Sequence, residues 1–255
     1  MMKLNLLILL LFINFFQLYS QVPIETSTAR LVEKHEIEIG PSFEYVNSPD
    51  GKEASMQITV NYGLSNRIEL DIEPAIYKSV TTVEEPNAHG FGDVNVALAY
   101  LVLHEQKNVP AIALEGSIKI PTAKNPLLGT QKFDYNLLFI ASKKFGKLDM
   151  HINLGYTFIG EPTEMQLRNI IGASLAGQFE ISEKVELAAE FLANTSSFLK
   201  ETDDGRRINP QVIPGEVAVF TGMGYNLKEN LELAAAIGYN NRKAFIFHTG
   251  LNFSF

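Results

Sequence analysis

A serine, a histidine and an asparagine occur close together in the middle of the chain, a combination of residue types that some hydrolases use. Ser142 precedes the stretch HIN, which contains His151 and Asn153. A histidine that takes the proton of a serine hydroxyl makes that oxygen a nucleophile, and a third polar group orients the histidine. The G-x-S-x-G turn that exposes such a serine in many hydrolases does not occur. These residue types indicate hydrolysis only if the fold places them together on an accessible surface.

Other stretches resemble ligand-binding motifs without matching them. TDDGRR lacks the carboxylate spacing and the final Glu of a calcium loop. GFGDVN lacks the third glycine of a phosphate-binding loop, and it opens a predicted strand instead of a helix. The histidines other than His151 show no metal-ligand spacing. We therefore expect no metal site, no cofactor and no enzymatic activity.

The overall composition excludes several classes of protein. The 255 residues include no cysteine and carry a formal net charge of −8. The lack of cysteine excludes disulfides, thiolate metal sites and a cysteine nucleophile. Nucleic-acid binding requires clustered Lys and Arg, and the chain has no such cluster. We expect no nucleic acid among its partners.

The first twenty residues are typical of an export signal. Lys3 precedes a mainly apolar run from Leu4 to Phe16, which is shorter than the roughly 20 residues that a membrane-spanning helix needs. We predict a signal peptide over residues 1–20, cleaved near Ser20/Gln21, and a periplasmic segment over residues 21–34. No later stretch is apolar for long enough to suggest a transmembrane helix.

From residue 35 onward, apolar and polar side chains alternate. The stretch ASMQITVNYGL, for example, places apolar groups at every second position from Ala54 to Leu64. A period of two predicts a β-strand with two unlike faces. Twelve such segments occur, at roughly 35–46, 54–64, 67–79, 91–103, 109–121, 133–145, 148–159, 169–180, 184–195, 213–226, 231–240 and 244–255. No window of similar length has helical spacing, so the predicted fold class is all-β.

The connections between these segments alternate in length. Those after even-numbered segments are tight, such as SN and GK, and most of those after odd-numbered segments are long and polar, such as TTVEEPNAHG. Outer-membrane barrels have short periplasmic turns and longer external loops. Aromatic residues on the apolar face also cluster near both ends of the segments, as they do at two lipid–water interfaces.

We therefore predict a 12-stranded antiparallel up-and-down transmembrane β-barrel over residues 35–255. The last strand should close the barrel against the first, because closure leaves no unpaired backbone in lipid. The expected location is the outer membrane of a Gram-negative bacterium. The expected partners are outer-membrane lipid, a small-molecule solute and, during biogenesis, the barrel-assembly machinery.

The polar face of the predicted strands lines the lumen. Lys119, the main inward cation, lies at a similar height to Asp134 on the next strand, which favours a structural cross-strand bridge. Ser142, His151 and Asn153 also point inward, whereas an enzyme acting on membrane lipid needs its residues on the outer face. We interpret these three as lumen residues. The predicted pore-lining residues are Glu73, Asp93, Glu115, Lys119, Asp134, His151, Glu190, Glu216 and Phe220.

Several strand ends and turns resemble those of a bacterial family of outer-membrane barrels labelled MetA-pathway of phenol degradation, which is also described as a family of outer-membrane transporters. The resemblance extends over roughly residues 85–255. Four motifs carry it: G-x-G-D (Gly90, Gly92, Asp93), K-x-P-T (Lys119, Pro121, Thr122), S-K-x-F-G (Ser142, Lys143, Phe145, Gly146) and N-x-G-Y (Asn153, Gly155, Tyr156). It implies passage of small, often hydrophobic or aromatic compounds across the outer membrane. It supplies no catalytic residue.

The sequence leaves two functions open. The first is a passive, cofactor-free channel for small solutes, which carboxylates in a lumen of about 12 Å backbone radius would make weakly cation-preferring. The second is a closed barrel whose external loops bind a partner or surface ligand. Residues before the first strand could hang free in the periplasm or enter the pore, and the sequence does not distinguish these arrangements.

Overall fold

The computed structural model describes residues 25–82, 87–161, 167–197 and 215–255. The predicted signal peptide and the TDDGRR stretch lie outside these ranges. Thirteen strands occur within them: β1 (Ile37–Ser48), β2 (Gly51–Ser65), β3 (Ile68–Thr82), β4 (Ala88–Gly90), β5 (Val94–Leu103), β6 (Ala111–Ile120), β7 (Asp134–Phe145), β8 (Leu148–Phe158), β9 (Ile170–Ser182), β10 (Val185–Asn194), β11 (Glu216–Lys228), β12 (Leu231–Asn240) and β13 (Phe245–Ser254).

Twelve long strands form a closed antiparallel barrel, and β4 adds a short pairing to the end of β3. Each long strand pairs with the long strands next to it in the chain, and β1 pairs with β13. The backbone N–H of Phe255 donates to Ile37 O at 2.9 Å, and Ile37 N–H donates to Phe255 O at 3.2 Å. The predicted fold and the closure of the last strand against the first are therefore confirmed.

The barrel wall carries its large apolar side chains on the outside. Leu114, Phe139 and Leu154 are direct neighbours across β6, β7 and β8, and they are 51%, 38% and 54% exposed. Their inward neighbours Ala113 and Ile140 are buried. In water this surface would be a large apolar patch, but it is the arrangement that lipid-facing strands require. In the described ranges, no helix is long and apolar enough to cross a membrane.

The tight turns and the long loops lie at opposite ends of the barrel. The strand ends joined by connections 66–67, 104–110, 146–147, 183–184 and 229–230 define the short-turn end, and the strand ends joined by connections 83–93, 121–133, 159–169 and 195–215 define the long-loop end. The brief connections 49–50 and 241–244 also lie at the long-loop end. Tyr100 and Phe145 are exposed near the first end, and Tyr135 and Phe158 are exposed near the second. The predicted aromatic bands are present at both ends.

The lumen and its N-terminal segment

Residues 25–33, called the N-terminal segment below, lie inside the barrel. The chain turns inward at the short-turn end, where His35 N–H donates to Gly63 O at 2.8 Å. A Cβ on Gly63 would lie 1.9 Å from Glu33 O, so a residue without a side chain permits this close passage. The segment then extends to Glu190, in the middle of β10. Of the two arrangements that the sequence leaves open, the structure has entry into the pore.

Side chains of the barrel wall satisfy backbone groups of the N-terminal segment. Asn153, with its amide oriented for hydrogen bonding, accepts from Ser27 N–H at 2.7 Å and donates to Ser27 O at 3.0 Å. The backbone N–H of Val32 donates to a carboxylate oxygen of Glu69. Buried backbone donors need such partners, and here inward side chains supply what a neighbouring strand would supply in a sheet.

The inner end of the segment contacts a buried carboxylate. Glu190 accepts from the Thr26 hydroxyl at 2.6 Å and from Glu25 N–H at 3.3 Å. Both Glu190 and Thr26 are buried. Because both groups are buried, these hydrogen bonds fix the position of the inner end of the segment within the lumen.

Ser142 and His151 form a directly bonded pair beneath the segment, with Ser142 Oγ 2.8 Å from His151 Nδ1. Ala29 N–H donates to Ser142 Oγ at 2.8 Å. His151 Nε2 lies 3.3 Å from Gln178 Oε1. Asn153 contacts Ser27 instead of the histidine. The three residue types do come together, but the segment covers the serine and uses it as a backbone acceptor.

Arg30 anchors the segment electrostatically at the short-turn end. Its two terminal nitrogens contact the two oxygens of Asp149 at 2.6 and 3.0 Å, and NH2 lies 2.7 Å from Glu105 Oε2. A guanidinium paired with both oxygens of one carboxylate has strongly defined geometry. The Arg30 and Asp149 side chains are each only 14% exposed. This ion pair is therefore less screened than one on an open surface.

Glu105 is held in place independently of Arg30. Its Oε1 accepts from Lys143 Nζ at 2.8 Å and from Lys144 N–H at 3.0 Å. Partial burial opposes ionisation of this carboxyl, but the hydrogen bonds from Lys143, Lys144 and Arg30 outweigh it and lower the pKa of Glu105. Glu105 therefore stays ionised across the neutral pH range.

A small apolar contact also holds the segment against the barrel wall. Ala29 is fully buried against Leu101, Ala111, Ala113 and Ile140 of the wall. These neighbours leave room for a methyl group at this position. The segment is thus held by an ion pair, several hydrogen bonds and one tightly packed side chain.

The segment lies between two cavities of the lumen. The larger measures about 460 Å³ and is lined by β1, β2, β3, β5, β12 and β13. The smaller measures about 390 Å³ and is lined by residues of β6 to β10. Glu25 borders both cavities. A third cavity of about 670 Å³ lies at the short-turn end, beside Arg30 and Glu105.

The predicted pore-lining residues fall into different environments. Glu73 lines the larger lumen cavity and Glu115 lines the smaller one. His151 and Glu190 are buried and bonded to the groups described above. Glu216 accepts from Asn240 Nδ2 at 2.7 Å, at the start of β11.

Three predicted residues form an ionic cluster at the long-loop end. Lys119 contacts Asp134, its direct partner across β6 and β7, so the predicted cross-strand bridge is present. Lys119 Nζ also lies 3.9 Å from Asp93 and donates to Thr130 Oγ1 at 2.8 Å. Asp93 in turn accepts from Ala123 N–H at 3.0 Å. The cluster fastens connection 121–133 to the barrel rim.

Phe220 is inward, as predicted, but it is packed and buried. Its ring lies over Gly238, where an added Cβ would meet ring carbons at 2.3 Å. Leu192, Ala218 and Ile246 complete this apolar cluster. Phe220 thus fills part of the interior next to the long-loop end.

Sequence reasoning missed Arg30, Glu105 and Asp149 as a functional group. One signal was available: Arg30 is the single basic residue among residues 21–33, directly before a barrel with an acidic interior. A turn residue such as Glu105 gave no periodic signal, so its pairing with Arg30 became visible only in the fold.

Comparison with solved structures shows the same kind of barrel. An outer-membrane channel from Pseudomonas putida F1 matches with a TM-score of 0.71 at 12% identity, over 92% of this chain and 100% of that chain. KdgM porin in complex with disordered oligogalacturonate has a TM-score of 0.58 at 12% identity, over 86% and 99%. NanC porin has a TM-score of 0.58 at 12% identity, over 84% and 98%. At such identities the similarity establishes the shared fold.

Comparison with curated protein sequences gives no match. The model of one protein family, described as "Putative MetA-pathway of phenol degradation", matches residues 24–255. That range contains the N-terminal segment and every strand of the barrel, so this chain belongs to the MetA-pathway of phenol degradation family of outer-membrane barrels.

Proposed function

We propose that this protein is an outer-membrane channel for the passive passage of small solutes, closed at rest by its N-terminal segment. The observation that carries the proposal is the position of the segment between the two lumen cavities, with Glu25 bordering both. The barrels of similar fold are themselves named as a channel and porins, which supports a transport role.

The lining of the larger of the two lumen cavities, which measures about 460 Å³, favours polar solutes. Glu44, Glu73, Asn95 and Asn252 are among its lining residues. Carboxylates in a narrow, low-dielectric passage attract cations and repel anions, so this lumen is unsuited to an acidic oligosaccharide like the oligogalacturonate in the KdgM complex. Hydrophobic or aromatic solutes, which the family description suggests, would find little free apolar surface, because the Phe220 cluster is buried.

A reversible lock on the segment tests this function. Thr28 Oγ1 of the segment and Ser142 Oγ of the wall are 3.4 Å apart, and the chain has no cysteine. The double variant Thr28→Cys with Ser142→Cys can therefore form a single disulfide between the segment and the wall. The refolded double variant is studied in a planar bilayer under a KCl gradient. We expect no openings when it is oxidised, and discrete openings with a cation-selective reversal potential after reduction. The single variant Thr28→Cys is the control for the oxidant.

The other outcomes are equally informative. Equal conductance before and after reduction, with the disulfide verified by thiol titration, would show that the segment does not gate the pore. Silence in both states, from a folded barrel, would overturn the channel proposal.

Silence would favour the second function, binding by the external loops, for which the structure offers one observation. Connection 121–133 packs on the β4 region through buried Ala123, Leu128 and Ala88, while Phe91 is largely exposed beside them. These buried contacts fix the shape of this surface at the long-loop end, as specific binding of a partner requires.

A further inference from the structure

The N-terminal segment occupies a complete guanidinium-binding site with its own Arg30. The two oxygens of Asp149 face two nitrogens of the guanidinium, and Glu105 adds a second carboxylate at 2.7 Å. Planar recognition of this kind distinguishes a guanidinium from a spherical cation. The inference below rests on the proposed channel function, since it concerns how solutes meet the segment.

The wall side of this site is preformed. Glu105 is positioned by Lys143 and by the backbone of Lys144, and Asp149 is paired in register with Lys144 across β7 and β8. None of these contacts depends on Arg30. Departure of the segment would therefore leave Asp149 without the guanidinium that balances it, which is energetically unfavourable in a partly buried location, whereas Glu105 would keep Lys143.

A solute can reach the site from the short-turn end. The cavity of about 670 Å³ there is lined by Arg30, Glu105, His104 and Asn66 among others. The Arg30 side chain retains 14% exposure and the Glu105 side chain 25%. A small cation in this cavity can thus approach Glu105 while Arg30 is still seated.

We propose that Glu105 and Asp149 form a binding site for solutes that carry a guanidinium group, and that such solutes replace Arg30 and thereby free the segment. Arg30 of the segment and the guanidinium group of the solute then compete for the same two carboxylates. A solute without a matching donor group leaves the ion pair of Arg30 intact and meets a closed lumen.

Chemical rescue with agmatine, a small guanidinium compound, tests the site directly. In the refolded Arg30→Ala variant the site lacks its internal occupant, so agmatine should raise the thermal unfolding midpoint in a saturable manner. Tetramethylammonium, which has the charge but no N–H donors, and urea, which has planar donors but no charge, should each have no effect. The agmatine effect should disappear in Arg30→Ala with Asp149→Asn. An equal shift with tetramethylammonium, or a shift that persists with Asp149→Asn, would overturn the proposal.

A second measurement uses the native anchor and covers the case in which Arg30→Ala does not fold. In an otherwise unchanged chain, Thr28→Cys provides a single thiol on the segment, next to Ser142 of the wall. Millimolar agmatine should increase its rate of maleimide modification severalfold, and tetramethylammonium at the same concentration should not. An unchanged rate with agmatine would contradict displacement of Arg30.

These readouts do not depend on conduction. If agmatine binds but every variant is silent in bilayers, the channel function fails and the guanidinium site remains. If the reduced double-cysteine variant conducts but agmatine neither stabilises Arg30→Ala nor exposes Thr28→Cys, the channel function stands and the guanidinium site is refuted.

Discussion

Individual residues hold the N-terminal segment through two kinds of contact, an ion pair at Arg30 and hydrogen bonds to backbone N–H groups. The ion pair depends on charge and geometry, whereas the backbone contacts depend on acceptors such as Ser142 and Asn153. Since these contacts use different side chains, each can be removed separately. Two predictions follow at this scale, one for each kind of contact.

Arg30→Gln should raise the open probability of the channel severalfold. The change removes the charge that pairs with Asp149 and Glu105 and leaves two oriented carboxylates without their guanidinium. Single-channel recording measures the effect. Arg67→Gln is the matched control, because Arg67 is an exposed arginine of the turn at the same end of the barrel. An equal response to both changes would mean that overall charge, and not the anchor, controls opening.

Ser142→Ala should destabilise the folded barrel by about 1–3 kcal/mol, the usual cost of leaving a buried donor without an acceptor. Ala29 N–H and His151 both lose the same partner. The free energy of unfolding in urea provides the measurement. In the control Ser174→Ala, the lost hydroxyl lines the smaller cavity and has no hydrogen bond among the described residues, so little change is expected. Comparable losses in both variants would show that the Ser142 contact contributes nothing specific.

At the scale of elements, the wall attracts the Arg30 side chain at one end of the segment and repels the Glu25 carboxylate at the other. Arg30 meets carboxylates near the short-turn end, while Glu25 meets Glu44, Glu73, Glu190 and Glu216 deeper in the lumen. Glu25 borders open cavities, yet the barrel surrounds it. Removal from bulk water disfavours the charged form of Glu25 most, and repulsion from these four carboxylates adds to this effect. Together they raise the pKa of Glu25 from 4.5 to about 8.

Opening should therefore become more frequent as the pH rises from about 5 to about 9. A carboxyl whose pKa is higher in the seated segment favours the seated state below pH 4.5, and that advantage is lost progressively up to about pH 8. The lowered pKa of Glu105 keeps the Arg30 anchor charged over the same window. Recording open probability against pH tests this. Glu25→Gln should flatten the profile, and an unchanged slope in that variant would assign the pH dependence to other groups.

The stability of the whole molecule in a bilayer depends on its outward-facing apolar side chains, because charged groups on the lipid-facing surface are destabilising. Leu154→Lys places a charge on the outer face in the middle of β8 and should cost about 2–4 kcal/mol. Leu148→Lys, on the same face but next to the short turn, should cost at most about 1 kcal/mol. Reversible unfolding from lipid vesicles gives both values. Equal costs would contradict the assignment of this face to the bilayer.

Much of the fold follows from the sequence alone, because a two-residue period and alternating loop lengths are properties of consecutive residues. The alternation in ASMQITVNYGL identifies a strand, and tight turns such as GK, between β7 and β8, identify pairs of antiparallel neighbours. The Lys119–Asp134 pair could also be predicted, because both residues face inward at a similar height on strands that follow each other in the chain.

The sequence determines which residues face lipid and which face the lumen, because strand geometry alternates them without reference to distant parts of the chain. Only the tertiary structure decides what fills the lumen. Arg30 meets Glu105 and Asp149 across separations of 75 and 119 residues, and no local pattern encodes such a contact. Closure of β1 against β13 creates the enclosed space, and the segment enters it because the wall offers the acceptors and the carboxylates that its backbone and its arginine need.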